Sequence, residues 1–406
     1  MIVRHTRRAD GPARAVSRLA AAVFAVLAVT LTFLPVAQAQ PTVPRPDPDP
    51  FYAAPADLGA RANGDVLRFR PVDVSRYGNA DGWQILYRST NSTGGPIAAV
   101  TTVLVPRGGV DRPLVSYQAI INALGTDCGP SHTLFTGGLQ EAPVLPLLLT
   151  RGWAVALPDH LGPNSAYGAA RLGGQVTLDG IRAATRLPQA GLGRSPVGLV
   201  GYSGGGMASA WAGALAPTYA PELPIVGVAA GGVPANLNEL ANGLGTAPHP
   251  LFGLAFAATL GLEREYPNRI PVSADLSPEG IALRDQIAND CSQEIIDAGA
   301  NRSALQVAKN PAQVESAAAR SVFNENSVEF YPGAPSAPVH LWQGGADVLA
   351  PAESVAATAR KWCDAGTRVD LVVLPGDHGP ASIEGVPGTL AWLDGRFAGV
   401  PAPTNC

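Results

Sequence analysis

The chain has 406 residues, and its 28 basic and 32 acidic side chains leave a formal net charge of −4. A charge this balanced, with no basic stripe, argues against a protein that binds nucleic acid. The length suits one large domain or a domain with a large insertion, and 46 glycines and 38 prolines favour tight turns over long helices.

The N-terminus has the three parts of a secretory signal peptide. Arg4, Arg7 and Arg8 lie in a positive region, residues 19–34 are apolar, and Ala37-Gln38-Ala39 is a small-x-small cleavage site. A membrane anchor is the alternative, but the apolar run is short for a span of about 20 residues. We therefore expect residues 1–39 to be a cleaved signal peptide and the protein to be secreted.

The first half of the mature chain begins with a proline-rich arm at residues 41–60. Residues 65–74, 83–90 and 96–106 then alternate in the manner of antiparallel strands, and NSTGGP forms the last turn between them.

Six short apolar runs follow, and such runs fit strands of a parallel sheet that are buried on both faces. Helical patterns lie between several of them, and alternating strands and helices indicate an α/β fold with an open, mostly parallel sheet. The six runs are residues 113–120, 153–159, 196–202, 224–231, 338–345 and 368–376.

Residues 232–335 contain helical patterns and no clear strand. We expect this segment to be a helical cap inserted into the sheet domain, whose core then consists of residues 40–231 and 336–406. The apolar run at 250–262 inside the cap fits a buried helix and also fits the lining of a site for an acyl chain; the two interpretations are compatible.

The segment Gly201-Tyr202-Ser203-Gly204-Gly205 matches the nucleophile-elbow pattern G-x-S-x-G. A serine on a sharp strand-to-helix turn needs neighbours without side chains, which Gly201 and Gly205 provide. Gly204 offers a backbone N–H beside the nucleophile, where an oxyanion donor is needed. An ordinary strand-to-helix turn is the alternative, but an apolar run before the motif and small helix-forming residues after it favour the elbow.

A serine hydroxyl needs a base, and in this fold class the acid and the histidine follow the serine in that order. Two of the six histidines follow Ser203 beyond the cap. His340 lies inside an apolar run and fits a core histidine, whereas His378 follows the last predicted strand in a loop. His378 is therefore the predicted base, and His160, at the end of an earlier strand, is a weaker candidate.

The acid should lie in a loop after a strand, between the serine and the histidine. Asp347 meets this requirement, although its turn-like GGAD context also fits a surface turn. Asp370 lies inside a predicted strand, and Asp377 is the immediate neighbour of the histidine, so neither suits the role. The second oxyanion donor should come from the loop after the run at 113–120, near residues 121–123.

Four cysteines in an exported chain predict two disulfides, and the sequence permits three pairings. Their spacing is not that of metal ligands, so we expect no zinc, no other metal and no cofactor. The cysteines are Cys128, Cys291, Cys363 and Cys406.

Several co-linear segments resemble the secretory lipase family, and within it the fungal lipase A type. The resemblance covers residues 49–406 and implies an α/β-hydrolase core with a helical cap. It also implies hydrolysis of carboxylic esters, with triacylglycerols as the family substrate. The segments are DPFY (49–52), YRSTN (87–91), 116–131, LDGIRA (178–183), GYSGG (201–205), YAPELPIVG (219–227) and ADVLAP (346–351).

The resemblance carries residue roles with it. The family's triad falls on Ser203, Asp347 and His378, and its oxyanion aspartate position falls on Asn122, which keeps the backbone N–H but changes the side chain. The fungal lipase has a flap over its active site beyond the last cysteine, whereas this sequence ends there, so we expect a more open site. The implied disulfides are Cys128–Cys291 and Cys363–Cys406.

The sequence therefore predicts a secreted serine ester hydrolase of the triacylglycerol lipase type that forms an acyl-enzyme. The expected partner is a lipid or other small ester substrate. We expect the protein to be a monomer that meets this substrate at a transient lipid–water interface. A short-chain or polyester carboxylesterase is the first alternative. A serine peptidase on the same fold and an inactive binding protein are weaker ones.

Overall fold

Nine strands form one sheet in the computed structural model, which describes residues 1–2, 41–245 and 247–406. The predicted signal peptide at residues 1–39 therefore lies almost wholly outside the described residues. The strand order across the sheet is β1-β2-β3-β5-β4-β6-β7-β8-β9. The strands are β1 Val66–Val72, β2 Ala80–Thr90, β3 Pro96–Pro106, β4 Leu114–Gln118, β5 Ala154–Pro158, β6 Val197–Tyr202, β7 Ile225–Gly231, β8 Val339–Gly344 and β9 Val369–Leu374.

The sheet changes from antiparallel to parallel at β5. Strand β2 is antiparallel to β1 and β3, and β3 is antiparallel to β5. All neighbours from β5 to β9 are parallel. Every residue of β4, β5, β6 and β8 is buried, because helices cover both faces of the sheet. Most of these residues are therefore apolar, and buried polar ones such as Gln118 and Gln343 have hydrogen-bond partners. This confirms the predicted α/β fold.

Each of the six predicted apolar runs begins one residue before its strand, and in four of them that residue is a proline. The prolines are Pro113, Pro196, Pro224 and Pro338. A proline has no N–H for the ladder, so the regular strand starts after it. The carbonyl of each proline still accepts an N–H from a neighbouring strand, and the apolar pattern therefore extends past the regular pairing.

Helices cover the sheet on both faces. Strand residues alternate between two cores: Leu114 and Leu199 pack with α3, α4 and α11, while Val115 and Val200 pack with α2, α13 and cap helices. The helices are α1 Pro130–Thr136, α2 Leu145–Thr150, α3 Ala170–Arg186, α4 Gly204–Tyr219, α5 Leu237–Gly245, α6 Phe252–Glu265, α7 Pro278–Ile287, α8 Ser292–Gly299, α9 Ala304–Val307, α10 Ala317–Glu325, α11 Ala352–Asp364, α12 His378–Glu384 and α13 Val386–Phe397.

Helices α5 to α10 lie between β7 and β8, the interval in which the sequence predicts a cap. Helix α6 is the most buried of them, and a Cβ on Gly261 would overlap the backbone of Tyr167 in the sheet domain. This backbone-to-backbone contact explains why the helix has a glycine in its middle. The cap and the sheet belong to one compact unit, and the exact limits of the cap, 232–335, stay a prediction.

Two disulfides join distant segments, with the pairs that the resemblance implies. Cys128–Cys291 links the loop before α1 to the start of α8 in the cap, across 163 positions of sequence. Cys363–Cys406 links α11 to the last residue, across 43 positions. Across the described part of the chain, none of the helices has the length and apolar character needed to cross a bilayer.

Candidate active site

Ser203 occupies the sharp turn between β6, which ends at Tyr202, and α4, which begins at Gly204. Its backbone φ is 54°, a left-handed value that costs energy for a residue with a Cβ. The turn presses against β4, because a Cβ on Gly205 would overlap the carbonyl oxygen of Gln118. The local geometry is therefore that of a nucleophile elbow, and glycine at 205 is a steric requirement.

Ser203, Asp347 and His378 follow the carboxyl ends of β6, β8 and β9, and their side chains lie in one line. His378 Nε2 lies 2.8 Å from Ser203 Oγ, and His378 Nδ1 lies 2.6 Å from Asp347 Oδ2. Ser203 is 9% exposed and Asp347 is 6% exposed. The three side chains selected from the sequence are thus in hydrogen-bonding order, with the imidazole in the middle.

His378 differs from its predicted setting, since it begins helix α12 and does not lie in a loop. The prediction of a loop was wrong because only three residues, Pro375, Gly376 and Asp377, separate β9 from this helix. The phenol of Tyr202 donates to the His378 carbonyl at 2.6 Å, and the two rings lie 5.0 Å apart between centroids at a tilt of 48°. The residue before the nucleophile thereby holds the backbone of the base.

The Asp347 carboxylate accepts four hydrogen bonds. Oδ1 accepts the backbone N–H groups of Leu349 and Ala350, at 2.9 and 2.8 Å, and Oδ2 accepts from Gln343 Nε2 at 2.8 Å as well as from His378. These four contacts fix the orientation of the carboxyl group. Gln343 was not singled out from the sequence; its position at the end of β8, four residues before the acid, is the only signal.

The competing histidines have other partners. His340 and Asp370 face each other across β8 and β9, with Nδ1 and Oδ2 2.9 Å apart. His160 is buried, and its Nε2 donates to the Ala119 carbonyl at 2.8 Å; burial lowers the pKa of His160 to about 4, so this imidazole is neutral at pH 7. His132 lies in α1, with Nε2 2.7 Å from an oxygen of Asp47.

Gly204 and Asn122 are the two residues predicted to supply oxyanion donors. Neither the Gly204 nor the Asn122 N–H hydrogen-bonds to any residue in 41–245 or 247–406. The two residues are adjacent, because a Cβ on Gly204 would lie 2.8 Å from Asn122 Oδ1. That side-chain oxygen is buried and has no hydrogen-bond partner within the same ranges.

A cavity of about 280 Å³ opens at these residues, at the junction of the sheet and the cap. Ser203, His378 and Asn122 line one side. A second, smaller cavity of about 80 Å³ lies inside the cap, shares Leu240 with the first, and is otherwise almost wholly apolar. The cap residues that line the active-site cavity are Pro234, Leu240, Leu244, Leu251, Leu254, Ser292 and Ile296.

The cluster around the Cys128–Cys291 pair does not provide a metal site. Asp127, Cys128 and Cys291 lie close enough together to share an ion. The two cysteines are bonded to each other, however, so they supply no thiolate.

The model of one family, described as secretory lipase, matches residues 132–405. The chain belongs to the secretory lipase family. This membership confirms the resemblance found in the sequence, and with it the predicted lipase-type hydrolase.

Relatives of this secretory lipase chain come from bacteria and fungi. A probable inactive lipase of Mycobacterium tuberculosis is 34% identical and aligns with 88% of this chain and 83% of its own. A secreted triacylglycerol lipase of Malassezia furfur is 28% identical over 94% of this chain and 88% of its own. A lipase A of Moesziomyces aphidis is 30% identical, over 96% and 88%.

Solved structures agree with the fold of this secretory lipase chain. The closed state of Candida antarctica lipase A superposes with a TM-score of 0.82 at 29% identity and covers 90% of both chains. A rice cell wall degrading esterase from Xanthomonas oryzae gives a TM-score of 0.64 at 16% identity, a likeness that concerns the fold alone.

Proposed function

We propose that the protein hydrolyses fatty-acyl esters, with triacylglycerols as the main substrate class, through an acyl-enzyme on Ser203. One observation carries the proposal: the unbroken line from Ser203 Oγ through the His378 imidazole to the Asp347 carboxylate, with steps of 2.8 and 2.6 Å. Relatives named as secreted triacylglycerol lipases support the substrate class.

In the first half-reaction, Ser203 Oγ attacks the carbonyl carbon of the ester while His378 Nε2 takes the hydroxyl proton. Asp347 accepts the hydrogen bond from Nδ1, which keeps Nε2 free as the acceptor and stabilises the imidazolium. The tetrahedral oxygen carries the developing negative charge. His378 then returns the proton to the alkoxide, the alcohol leaves, and the acyl group stays on Ser203 as an ester.

In the second half-reaction, water attacks the acyl-enzyme and His378 Nε2 takes a proton from that water. The second tetrahedral intermediate collapses with return of the proton to Ser203 Oγ, and the carboxylic acid leaves. We assign the Gly204 and Asn122 N–H groups as donors to the oxyanion in both halves. Each donor of this kind contributes about 3 kcal/mol to lowering the barrier.

The cap supports an acyl substrate over a polar one. Leu240 and Leu244 of α5 and Leu254 of α6 line the active-site cavity, and Leu240 also lines the smaller apolar cavity inside the cap. Removing an acyl chain from water stabilises the complex by about 0.8 kcal/mol for each buried CH₂. We therefore propose that the 250–262 run is both a buried helix and part of the acyl lining.

We further propose that the protein is exported with cleavage after Ala39 and works as a monomer at a lipid–water interface. The secretory family and its secreted relatives support export. Val348 and Ile383 support the interface: each is more than 60% exposed, and each belongs to a segment that also lines the active-site cavity. Exposed apolar side chains beside the mouth of a site favour adsorption to lipid.

The test is the Ser203→Ala variant, assayed on a soluble nitrophenyl ester and labelled with a fluorophosphonate. We expect the wild type to turn over and to be labelled at Ser203, and the variant to lose both properties with an unchanged fold. Ser382→Ala is the matched control, since Ser382 lines the same cavity but donates to Gly379. Turnover by Ser203→Ala, or a wild type that is neither active nor labelled, would contradict the proposal.

The wild-type rate is then measured against acyl length from C2 to C18. A lipase gives a preference for long chains, because each added CH₂ enters apolar surroundings. A rate that falls steadily from C2 onward would instead favour the short-chain or polyester esterase.

A further inference from the structure

Glu141 is a half-buried acid that the catalytic mechanism leaves without a role. It lies between α1 and α2, and its neighbour Gln140 lines the active-site cavity. Glu141 Oε1 accepts the Ile120 backbone N–H at 2.6 Å. The other oxygen, Oε2, is buried and has no partner within residues 41–245 and 247–406. Burying a carboxyl group with a single partner costs free energy, so this one contact needs an explanation.

Ile120 belongs to the loop after β4, residues 119–125, which includes the proposed oxyanion donor Asn122 and is called the oxyanion loop below. Four side chains hold this loop from outside it, and one of them, Arg264, donates to the Leu124 carbonyl. His160 Nε2 donates to the Ala119 carbonyl, and Ser165 Oγ donates to the carbonyls of Ala123 and Gly125. Glu141 provides the contact in between, at the position two residues before Asn122.

The other side chains donate hydrogen bonds to carbonyl groups of the loop, whereas Glu141 accepts one from a backbone N–H. The Ala119–Ile120 peptide is thereby fixed at both ends, with its oxygen toward His160 and its N–H toward Glu141. A peptide unit is planar, so fixing both groups fixes the direction in which the chain enters Ile121 and Asn122. Asn122 ends this segment beside the elbow, where its side-chain Oδ1 lies 2.8 Å from the position that a Cβ on Gly204 would take.

We infer that Glu141 is a positioning residue, whose carboxyl group orients the 119–122 segment so that the Asn122 N–H meets the oxyanion. The inference rests on the proposed function. Only the acceptor oxygen is needed, so the charge is dispensable. Burial also raises the pKa of Glu141, which lessens the charge that would oppose an oxyanion nearby.

The test compares Glu141→Met, which keeps the volume and loses the carbonyl acceptor, with Glu141→Gln, which keeps that acceptor. Both are assayed on a soluble nitrophenyl ester. A misplaced oxyanion donor lowers transition-state binding more than substrate binding. We expect Glu141→Met to lose about 10- to 100-fold in kcat, with KM changed less than about threefold. Glu141→Gln should restore kcat to within about threefold of the wild type.

Three results would overturn the inference: a folded Glu141→Met with wild-type kcat, a rise in KM alone, or a Glu141→Gln as impaired as Glu141→Met. If Glu141→Met does not fold, Glu141→Gln decides by itself, since a tenfold loss of kcat in the folded protein contradicts the inference. Failure here is separate from failure of the proposed function, because Ser203→Ala would still be inactive.

Discussion

Asp347 is the carboxylate best placed to assist His378, and its four hydrogen bonds explain why. Two backbone N–H groups and one amide hold it still, so the fourth bond, to His378 Nδ1, has a fixed direction. A rigid acceptor keeps the imidazole in one tautomer, which leaves Nε2 free to take the serine proton. Asp377, next to the base in sequence, makes no capping hydrogen bond at the start of α12.

Replacing each acid in turn should therefore show which of the two carboxylates, Asp347 or Asp377, assists His378. We expect Asp347→Asn to lower kcat by on the order of 10³- to 10⁴-fold, because the amide favours the wrong imidazole tautomer. The measurement is kcat for a soluble ester near neutral pH, with the thermal midpoint as the check on folding.

Asp377→Asn is the matched control, and its kcat should stay within about threefold of the wild type. Equal losses in the two variants would mean that the acid has been assigned to the wrong residue.

At the level of elements, the cap is tied to the oxyanion loop as well as to the sheet. Cys291 begins α8, and the residue before it, Asp290, accepts the backbone N–H of Leu124 through its carbonyl. The disulfide from Cys291 to Cys128 reinforces that contact. The second disulfide joins α11 to the chain end and touches neither segment.

The two disulfides should differ in their contribution to stability. In the chain-entropy relation, the loops of 163 and 43 positions correspond to about 5 and about 4 kcal/mol. We expect Cys128→Ser/Cys291→Ser to lose more free energy of unfolding than Cys363→Ser/Cys406→Ser, and to lose activity as well. Urea titrations of both double variants measure the difference; the reverse order would contradict it.

At the level of the whole molecule, the buried guanidinium group of Arg264 connects helix α6 to four other segments of the chain. Arg264, in the last turn of α6, is 7% exposed and donates to carbonyl groups of the arm, the oxyanion loop, the loop after β5 and the end of α7. Burial lowers its pKa to about 10, which leaves it charged at pH 7. The accepting carbonyls belong to Thr42, Leu124, Asn164, Ser165 and Ala288.

Replacing Arg264 should weaken the contacts of α6 with all four of these segments at once. We expect Arg264→Met to lower the free energy of unfolding by about 3 kcal/mol or more, because it leaves buried carbonyl groups without donors. Denaturant unfolding measures the loss.

Arg269→Met is the matched control. Arg269 forms a half-exposed pair with Glu325, which is worth about 0–1 kcal/mol. Similar losses in the two variants would show that Arg264 does not hold the parts together.

Much of the fold could be predicted, because strands buried on both faces must be apolar throughout and the elbow must be flanked by glycines. The strand limits were less accurate where prolines such as Pro196 extend an apolar run without joining the ladder. The start of α12 at His378 was missed, since two glycines and two prolines nearby resemble a loop. Glu141 carries no sequence signal, and Gln343 carries only its position before the acid, because their partners are set by packing.

The sequence by itself determined the class of protein and predicted a nucleophile and the order of its partners, since these depend on local patterns: a strand, a turn without side chains, and polar residues after later strands. Only the tertiary structure decided which groups meet. The direction of the Ile120 N–H, the four bonds to Asp347 and the contacts of Arg264 join residues far apart in the chain. Such contacts arise when packing brings separate segments together, and no local pattern encodes them.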